Sequence, residues 1–233
     1  MLGTAYGVGV GPGDPELITV KALCVLRQCP VVAVPGNAVD ESVAYGIAVA
    51  AEPSVSQKEC VALPSPMTGD RTHFLTVQRT NASVMERYLD QGCDVAFLTL
   101  GDPSLYSTFC YLRRALEEDG YSVDAVAGVP SFCAVAARLK MSLAEADEPL
   151  HVWPGIPEEA PRWPRGNQVI MKAGSALGGL SGLLDASWQV GAVQSCGMEA
   201  ERVFVGWGQM PEDASYLTTV LARNMRCGAP TDS

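Results

Sequence analysis

Residues 94–108 read DVAFLTLGDPSLYST, and the fold is decided there. Val95 to Leu100 is a nearly continuous apolar run, as in a strand buried on both faces of a parallel sheet. Gly101-Asp102-Pro103 ends it. Asp102 suits a helix N-cap and Pro103 the first helical turn, where a missing N–H costs nothing. Leu105, Phe109, Leu112 and Leu116 then follow at helical spacing. Strand, tight turn and helix put a carboxylate at the carboxyl edge of the sheet, where open α/β sheets bind their ligands. On this turn alone, an N-cap role for Asp102 is the simpler reading.

The N-terminus repeats the grammar. Thr4 to Val10 reads as a strand, Gly11-Pro12-Gly13-Asp14-Pro15 as a turn, and the next stretch to about Gln28 as a helix. Two Gly-Asp-Pro turns after two strands are able to face one cleft. Strands are expected at 31–34, 59–63 and 122–127. Helices are expected at 41–51, at 74–91 with Val77, Val84 and Leu89 inward, and at 132–139. This alternation implies a parallel sheet with right-handed crossovers, so several turns collect on one rim. Beyond Leu143 the texture changes. Leu150–Trp153, Val169–Lys172, Val190–Ser195, Arg202–Trp207 and Tyr216–Ala222 read as strands able to pair antiparallel. A helix over 175–186 is weakened by Gly178, Gly179 and Gly182. The expected division is an N-terminal α/β domain with a parallel sheet over 1–121 and a C-terminal α/β domain with a mixed sheet over 122–233.

Composition narrows the function. At 48% hydrophobic and 18% charged residues the chain is an ordinary globular one. A formal net charge of −10 disfavours a nucleic-acid partner. The eight cysteines form no CxxC pair and match no zinc spacing, so no metal site is expected and the thiols read as reduced and mostly structural. No uncharged apolar stretch approaches the ~20 residues that span a bilayer, and no signal peptide is legible, so no membrane partner and a cytoplasmic location are expected.

The glycine-rich first turn invites a nucleotide reading, but the G-x-G-x-x-G spacing fails at Pro12 and at Asp14. Proline removes an N–H that would hold phosphate, and aspartate repels it. A ligand with cationic groups and a ribose fits better, as S-adenosylmethionine does with its sulfonium, amine and diol. Hydrolytic signatures are missing: there is no G-x-S-x-G, and the two histidines, His73 and His151, lie far apart in sequence. Among the cations Arg71, His73, Arg79, Arg113, Arg114, Arg138, Lys140 and Lys172, most read as solvated surface. Lys172 ends an apolar strand and is expected to point into a cleft or to pair with a carboxylate.

GVGVGPGDPELITVKA at 7–22, FLTLGDPSLYSTF at 97–109, AGVPSFCAVAARL at 127–139 and VIMKAG at 169–174 resemble the tetrapyrrole (uroporphyrinogen-type) methylases. Three features resemble the precorrin-2 C20-methyltransferase branch: YSTF at 106–109, the stretch 130–155, and CGMEAERVF at 196–204 with SYLTTVLAR at 215–223. The resemblance implies the two-domain α/β fold of class III S-adenosylmethionine methyltransferases, with the cofactor in the interdomain cleft. It implies methyl transfer to C20 of precorrin-2, or alternatively of cobalt-factor II or at another corrin-ring position served by the same family, in cobalamin biosynthesis, with S-adenosylhomocysteine as product, by a homodimer. Carried over by motif, the cofactor contacts are Pro12, Gly101, Asp102, Tyr106, Ser107, Ser131, Phe132, Met171 and Leu217. Asp102, Tyr106 and Lys172 are the candidate catalytic groups, for a proton from C20 or for holding the macrocycle. An acidic protein that binds a polycarboxylate needs a local basic rim, expected from several of Arg71, His73, Arg113, Arg114, Arg138 and Lys140. The glycines after Lys172 stand where the family carries longer charged side chains.

Overall fold

The computed structural model describes residues 1–66, 68–156, 163–174, 177–180, 184, 187–210 and 214–225. The chain divides into two compact units, Met1–Pro130 and Ser131–Ser233.

The first unit is a parallel sheet of five strands in the order β3-β2-β4-β1-β5, with β1 Thr4–Gly9, β2 Val31–Pro35, β3 Glu59–Leu63, β4 Val95–Thr99 and β5 Ser122–Val126. Four helices cover it: α1 Val20–Gln28, α2 Val43–Ala51, α3 Arg71–Leu89 and α4 Phe109–Glu118. Strand side chains alternate between faces. Val8, Val10, Val32, Val34, Ala96 and Leu98 therefore pack under α1 and α2, while Ala5, Ala33, Val95 and Phe97 pack under α3 and α4. Burial on both faces explains the apolar run that β4 carries. β5 hydrogen-bonds alongside β1 from Thr4↔Ser122 to Val8↔Val126. The division expected after residue 121 therefore falls after Pro130 instead, because Ser122–Val126 completes the first sheet.

Local chemistry sets the helix starts. Thr19 accepts from the Ala22 N–H, and Asp70 from Thr72 and His73 at 2.9 and 3.1 Å. A 3-10 turn, Pro15–Leu17, precedes α1 where one continuous helix was expected. α3 buries Gln78, Asn81, Ala82, Met85 and Leu89, so its inward face includes polar residues, and Val77 and Val84 are only half-buried. Asn81 justifies its place by donating to the Pro64 carbonyl at 2.8 Å.

The second unit holds a mixed sheet in the order β6-β7-β10-β8-β9, with β6 Leu150–Trp153, β7 Asn167–Ile170, β8 Trp188–Gln194, β9 Arg202–Val205 and β10 Thr218–Asn224. Its antiparallel pairs are β10 with β7 and β8, and β8 with β9; β6 runs parallel to β7. Helix α5, Ser131–Leu139, packs on β8 and β10, with Leu139 seated where a side chain at Gly191 would fall 2.7 Å from it. The opposite face carries Ile170, Leu177, Leu180, Val190, Ala192 and Val220. Of the helix expected over 175–186, α6 covers Leu177–Leu180, and much of the remainder lies outside the described residues.

Candidate active site

β1 and β4 are neighbours, yet α1 returns over one face of the sheet and α4 over the other. Chains that leave adjacent parallel strands toward opposite faces open a crevice at the carboxyl edge, the usual ligand position in such sheets. Three loops meet there. The Gly101 N–H donates to the Gly11 carbonyl at 2.9 Å, and Val10 to Thr99 at 3.0 Å. A Cβ placed on Gly128 would fall 2.1 Å from the Gly101 oxygen and 2.8 Å from the Gly9 Cα. Only glycine permits that contact. Gly11 and Gly101 also take φ of 82° and 76°, the left-handed region that glycine enters freely.

Asp102 locks this clasp. One carboxylate oxygen accepts from the Ser104 N–H at 2.8 Å and from the Ser104 hydroxyl; the other accepts from the Gly128 N–H at 2.8 Å. Burial raises its pKa, but the Ser104 hydroxyl, the Gly128 N–H and the Ser104 N–H outweigh burial and hold it below the ordinary value. Asp102 is thus an ionised tie between two loops, and the helix cap expected of it does not form. Residues 102–108 run as a loop, Leu105 with them, and α4 begins at Phe109, whose N–H donates to the Ser107 hydroxyl at 3.1 Å. Asp14 makes the corresponding local bond, accepting from Glu16 at 2.9 Å.

Of the expected cofactor contacts, Pro12, Gly101, Asp102, Tyr106 and Ser107 all lie in the loops that follow β1 and β4. Pro12 and Gly101 are buried, whereas Tyr106 is exposed and holds φ at 50°. The rim offers an ionised carboxylate, and Pro12 has no N–H to offer. An acceptor rim of this kind suits a ligand bearing cations and hydroxyls and is hostile to phosphate.

In the second unit, the amino end of β10 meets the carboxyl ends of β7 and β8. Ala173 donates to the Thr218 carbonyl and Ser195 to the Leu217 carbonyl, each at 2.9 Å. Ser131 opens α5 with its hydroxyl 3.2 Å from that of Thr219. Met171 donates to the Trp153 carbonyl at 2.9 Å. Ser131, Met171, Lys172 and Leu217 thus gather at one end of this sheet, and Phe132 follows Ser131 on α5. Lys172 lies beyond the strand it was expected to end. It turns left-handed at φ 54° and sets its ammonium 5.6 Å from the centre of the Tyr216 ring, a cation–π contact.

The basic side chains are divided by the fold. Arg113 pairs with Glu117 at 2.8 Å, Arg138 with Glu201 at 2.6 Å, and Arg79 with Asp119. Lys140 ends α5 in the left-handed conformation, with Met141 donating back to Ala136. Arg114 is exposed on α4. Arg71 and His73, in the first turn of α3 and exposed, are the two placed at the carboxyl rim of the first sheet.

Four positions of these rims went unassigned in the sequence: Gly9, Thr99, Gly128 and Thr219. Each left a signal. Gly9 and Gly128 are glycines at strand ends, and Thr99 is the one polar residue within Val95–Leu100. Thr219 sits in a β-branched run and left the weakest trace. Among the described residues no group of three or more His, Cys, Asp or Glu side chains is placed to hold a metal, and no helix is long and apolar enough to cross a membrane. Among the described residues seven cysteines form no disulfide; Cys29 and Cys196 are buried, Cys24, Cys110 and Cys133 are exposed, and burial pushes the Cys29 thiol up to about 12. Cys227 lies outside the described residues.

Comparison with known proteins adds an independent line. The family model described as Tetrapyrrole (Corrin/Porphyrin) Methylases matches residues 4–209. A probable cobalt-precorrin-2 C(20)-methyltransferase of Methanocaldococcus jannaschii is 39% identical over 150 residues, covering 64% of this chain and 63% of that protein. The cobalamin biosynthesis protein CobIJ of Mycobacterium bovis is 36% identical over 162 residues, covering 66% of this chain and 31% of that protein. The chain thus spans less than two thirds of the length of these relatives. Among solved structures, uroporphyrin-III C-methyl transferase from Thermus thermophilus complexed with S-adenosylhomocysteine superposes with a TM-score of 0.69 at 19% identity, over 97% of this chain and 99% of that one, a likeness of fold.

Proposed function

The chain belongs to the tetrapyrrole (corrin/porphyrin) methylases, and from that premise we propose that it transfers a methyl group from S-adenosylmethionine to C20 of a precorrin-2 ring in corrin biosynthesis. The observation that carries the reading to this chain is the rim of the first sheet. There an ionised Asp102 ties the β4 loop to Gly128, and Pro12 has no N–H to offer a phosphate. An anionic acceptor at this rim fits the sulfonium and amine of S-adenosylmethionine. The Methanocaldococcus relative is named for the same ring position.

S-adenosylmethionine, when bound, supplies an electrophilic methyl and a good leaving group. The protein's share is placement, which is worth roughly 7–11 kcal/mol when reacting groups are well aligned. Asp102 binds rather than exchanges protons, since three donors already occupy its oxygens. Pro12, Gly101, Tyr106 and Ser107 from the first unit, and Ser131, Phe132, Met171 and Leu217 from the second, form the binding surfaces. Lys172 and Tyr106 take the ring or the proton that must leave C20. Arg71 and His73 face the ring carboxylates, so raising salt weakens substrate binding. The chain works as a homodimer in the cytoplasm, and light scattering on the purified protein tests the dimer.

A second substrate form stands beside the first: the printed name of the Methanocaldococcus relative favours the cobalt-carrying ring. One experiment tests both. The protein is incubated with 13C-methyl-labelled S-adenosylmethionine and either metal-free precorrin-2 or cobalt-factor II, and products are read by mass spectrometry and carbon-13 NMR. One added methyl at C20 is the expected result, and the substrate that accepts it decides the metal. A methyl at another carbon moves the assignment to another ring position, and none on either substrate overturns it.

A further inference from the structure

We propose that Thr99 is a positioning residue, whose hydroxyl at the end of β4 sets Ser107 and, through it, holds Tyr106 in a left-handed conformation ready for the methyl donor. The inference rests on the methyl-donor reading above. Thr99 is 6% exposed, a hydroxyl in a strand whose other residues, Val95 to Leu98, are apolar and buried. A hydroxyl in such a place needs a partner, and it finds one in the Ser107 hydroxyl at 3.1 Å. Ser107 is held twice more: its hydroxyl accepts from the Phe109 N–H at 3.1 Å, and its carbonyl accepts from the Cys110 thiol at 3.1 Å.

At the other end of the loop, Asp102 is held by Ser104 and Gly128. Tyr106 lies between these anchors with φ at 50° and its side chain 46% exposed. A left-handed tyrosine is unfavourable and persists only where its surroundings over-determine it. Thr99 supplies that constraint from inside the sheet, without being placed to touch the ligand itself. Strain of this kind, kept at a ligand rim by groups buried behind it, is preorganisation.

The test compares Thr99→Val, which keeps shape and loses the hydroxyl, with Thr99→Ser, which keeps the hydroxyl. S-adenosylhomocysteine binding is measured by calorimetry, KM for both substrates by turnover, and amide exchange over Tyr106–Phe109 by mass spectrometry. Thr99→Val is expected to weaken S-adenosylhomocysteine about tenfold, a change of ~1.4 kcal/mol. It raises the KM of the methyl donor but not that of the ring, and it speeds exchange at Tyr106–Phe109. Thr99→Ser is expected to restore all three. A Thr99→Val protein that melts earlier yet binds S-adenosylhomocysteine as before overturns the inference, because a purely structural threonine behaves that way. So does a Thr99→Ser protein that loses the affinity, a result independent of whether the valine variant folds. If the unaltered chain fails to bind S-adenosylhomocysteine, the methyl-donor reading fails, while the exchange comparison still decides whether Thr99 holds the loop.

Discussion

Asp102 shows how much a single carboxylate can be asked to do. It closes the turn after β4 and fastens that turn to Gly128, so truncation releases two loops at once. Asp102→Ala is expected to lower S-adenosylhomocysteine affinity at least tenfold, about 1.4 kcal/mol or more by calorimetry. Its pKa is depressed, so the tie is intact above the ordinary value of 3.8 and is lost as pH falls through the lower native value. Affinity measured from neutrality downward should therefore hold until strongly acid pH on account of this group. Gln78 is the opposite case. Its amide nitrogen is buried with no partner, while Asn81 keeps its own bond to Pro64. Removing an unsatisfied donor is worth about 1 kcal/mol, so Gln78→Met should raise the melting temperature by about 2–4 °C. The importance of Asp102 was legible because Gly-Asp-Pro interrupts an apolar strand. Its partner was not, since Gly128 lies in another loop and reveals itself only through backbone contact.

Elements fail to form where side chains claim their backbone groups. Leu105 stands at helical spacing from Phe109 and Leu112, yet α4 waits until Phe109 because Asp102 and Ser107 take the N–H groups of Ser104 and Phe109. Periodicity alone does not report such competition. The inward face of α3 was read in part, with Leu89 buried and Val84 packed against the core, and the rest was missed for a related reason: amides count as polar in a pattern, although one that meets a carbonyl is at home inside. Close packing of whole loops is the stricter constraint. Gly128→Ala would drive a methyl against the Gly101 carbonyl and the Gly9 backbone, and should cost at least about 2 kcal/mol in chemical denaturation. Between α3 and α4, burial and the nearby Asp119 carboxylate raise the Glu86 pKa, while Arg79 and Glu86 lower that of Asp119. A protonated Glu86 is able to donate to the Asp119 carboxylate, which favours its neutral form. Its contribution is complete below the ordinary glutamate value and fades as pH rises through the raised one. Glu86→Gln keeps a donor there at every pH, so the melting temperature of this variant should exceed that of the parent at neutral pH and converge with it in acid.

At the scale of the molecule, each unit has a core of its own, and the boundary between them is a matter of strand pairing. A fragment of residues 1–130 retains all five strands of the first sheet and both covering layers. It should unfold cooperatively by circular dichroism, whereas a fragment ending at 121 loses β5, exposes the edge of β1 and should aggregate. The α/β alternation, the parallel sheet and the mixed second sheet were legible, since periodicity is local information. The boundary was misplaced because the pairing of β1 with β5 joins residues far apart in the chain. The same pairing orders events in time during synthesis. β1 leaves the ribosome before the other strands of its sheet and is destined for the sheet's interior, yet its neighbours are β4 and β5, with Ala5 opposite Val95 and Val123. At about 5–20 residues per second, the strand that will carry the glycine turn spends seconds unpaired, while β2 and β3 are already made and adjacent. This unit is obliged to finish at its beginning: a nascent chain stalled before residue 122 holds most of a sheet and lacks the closure that fixes its first strand.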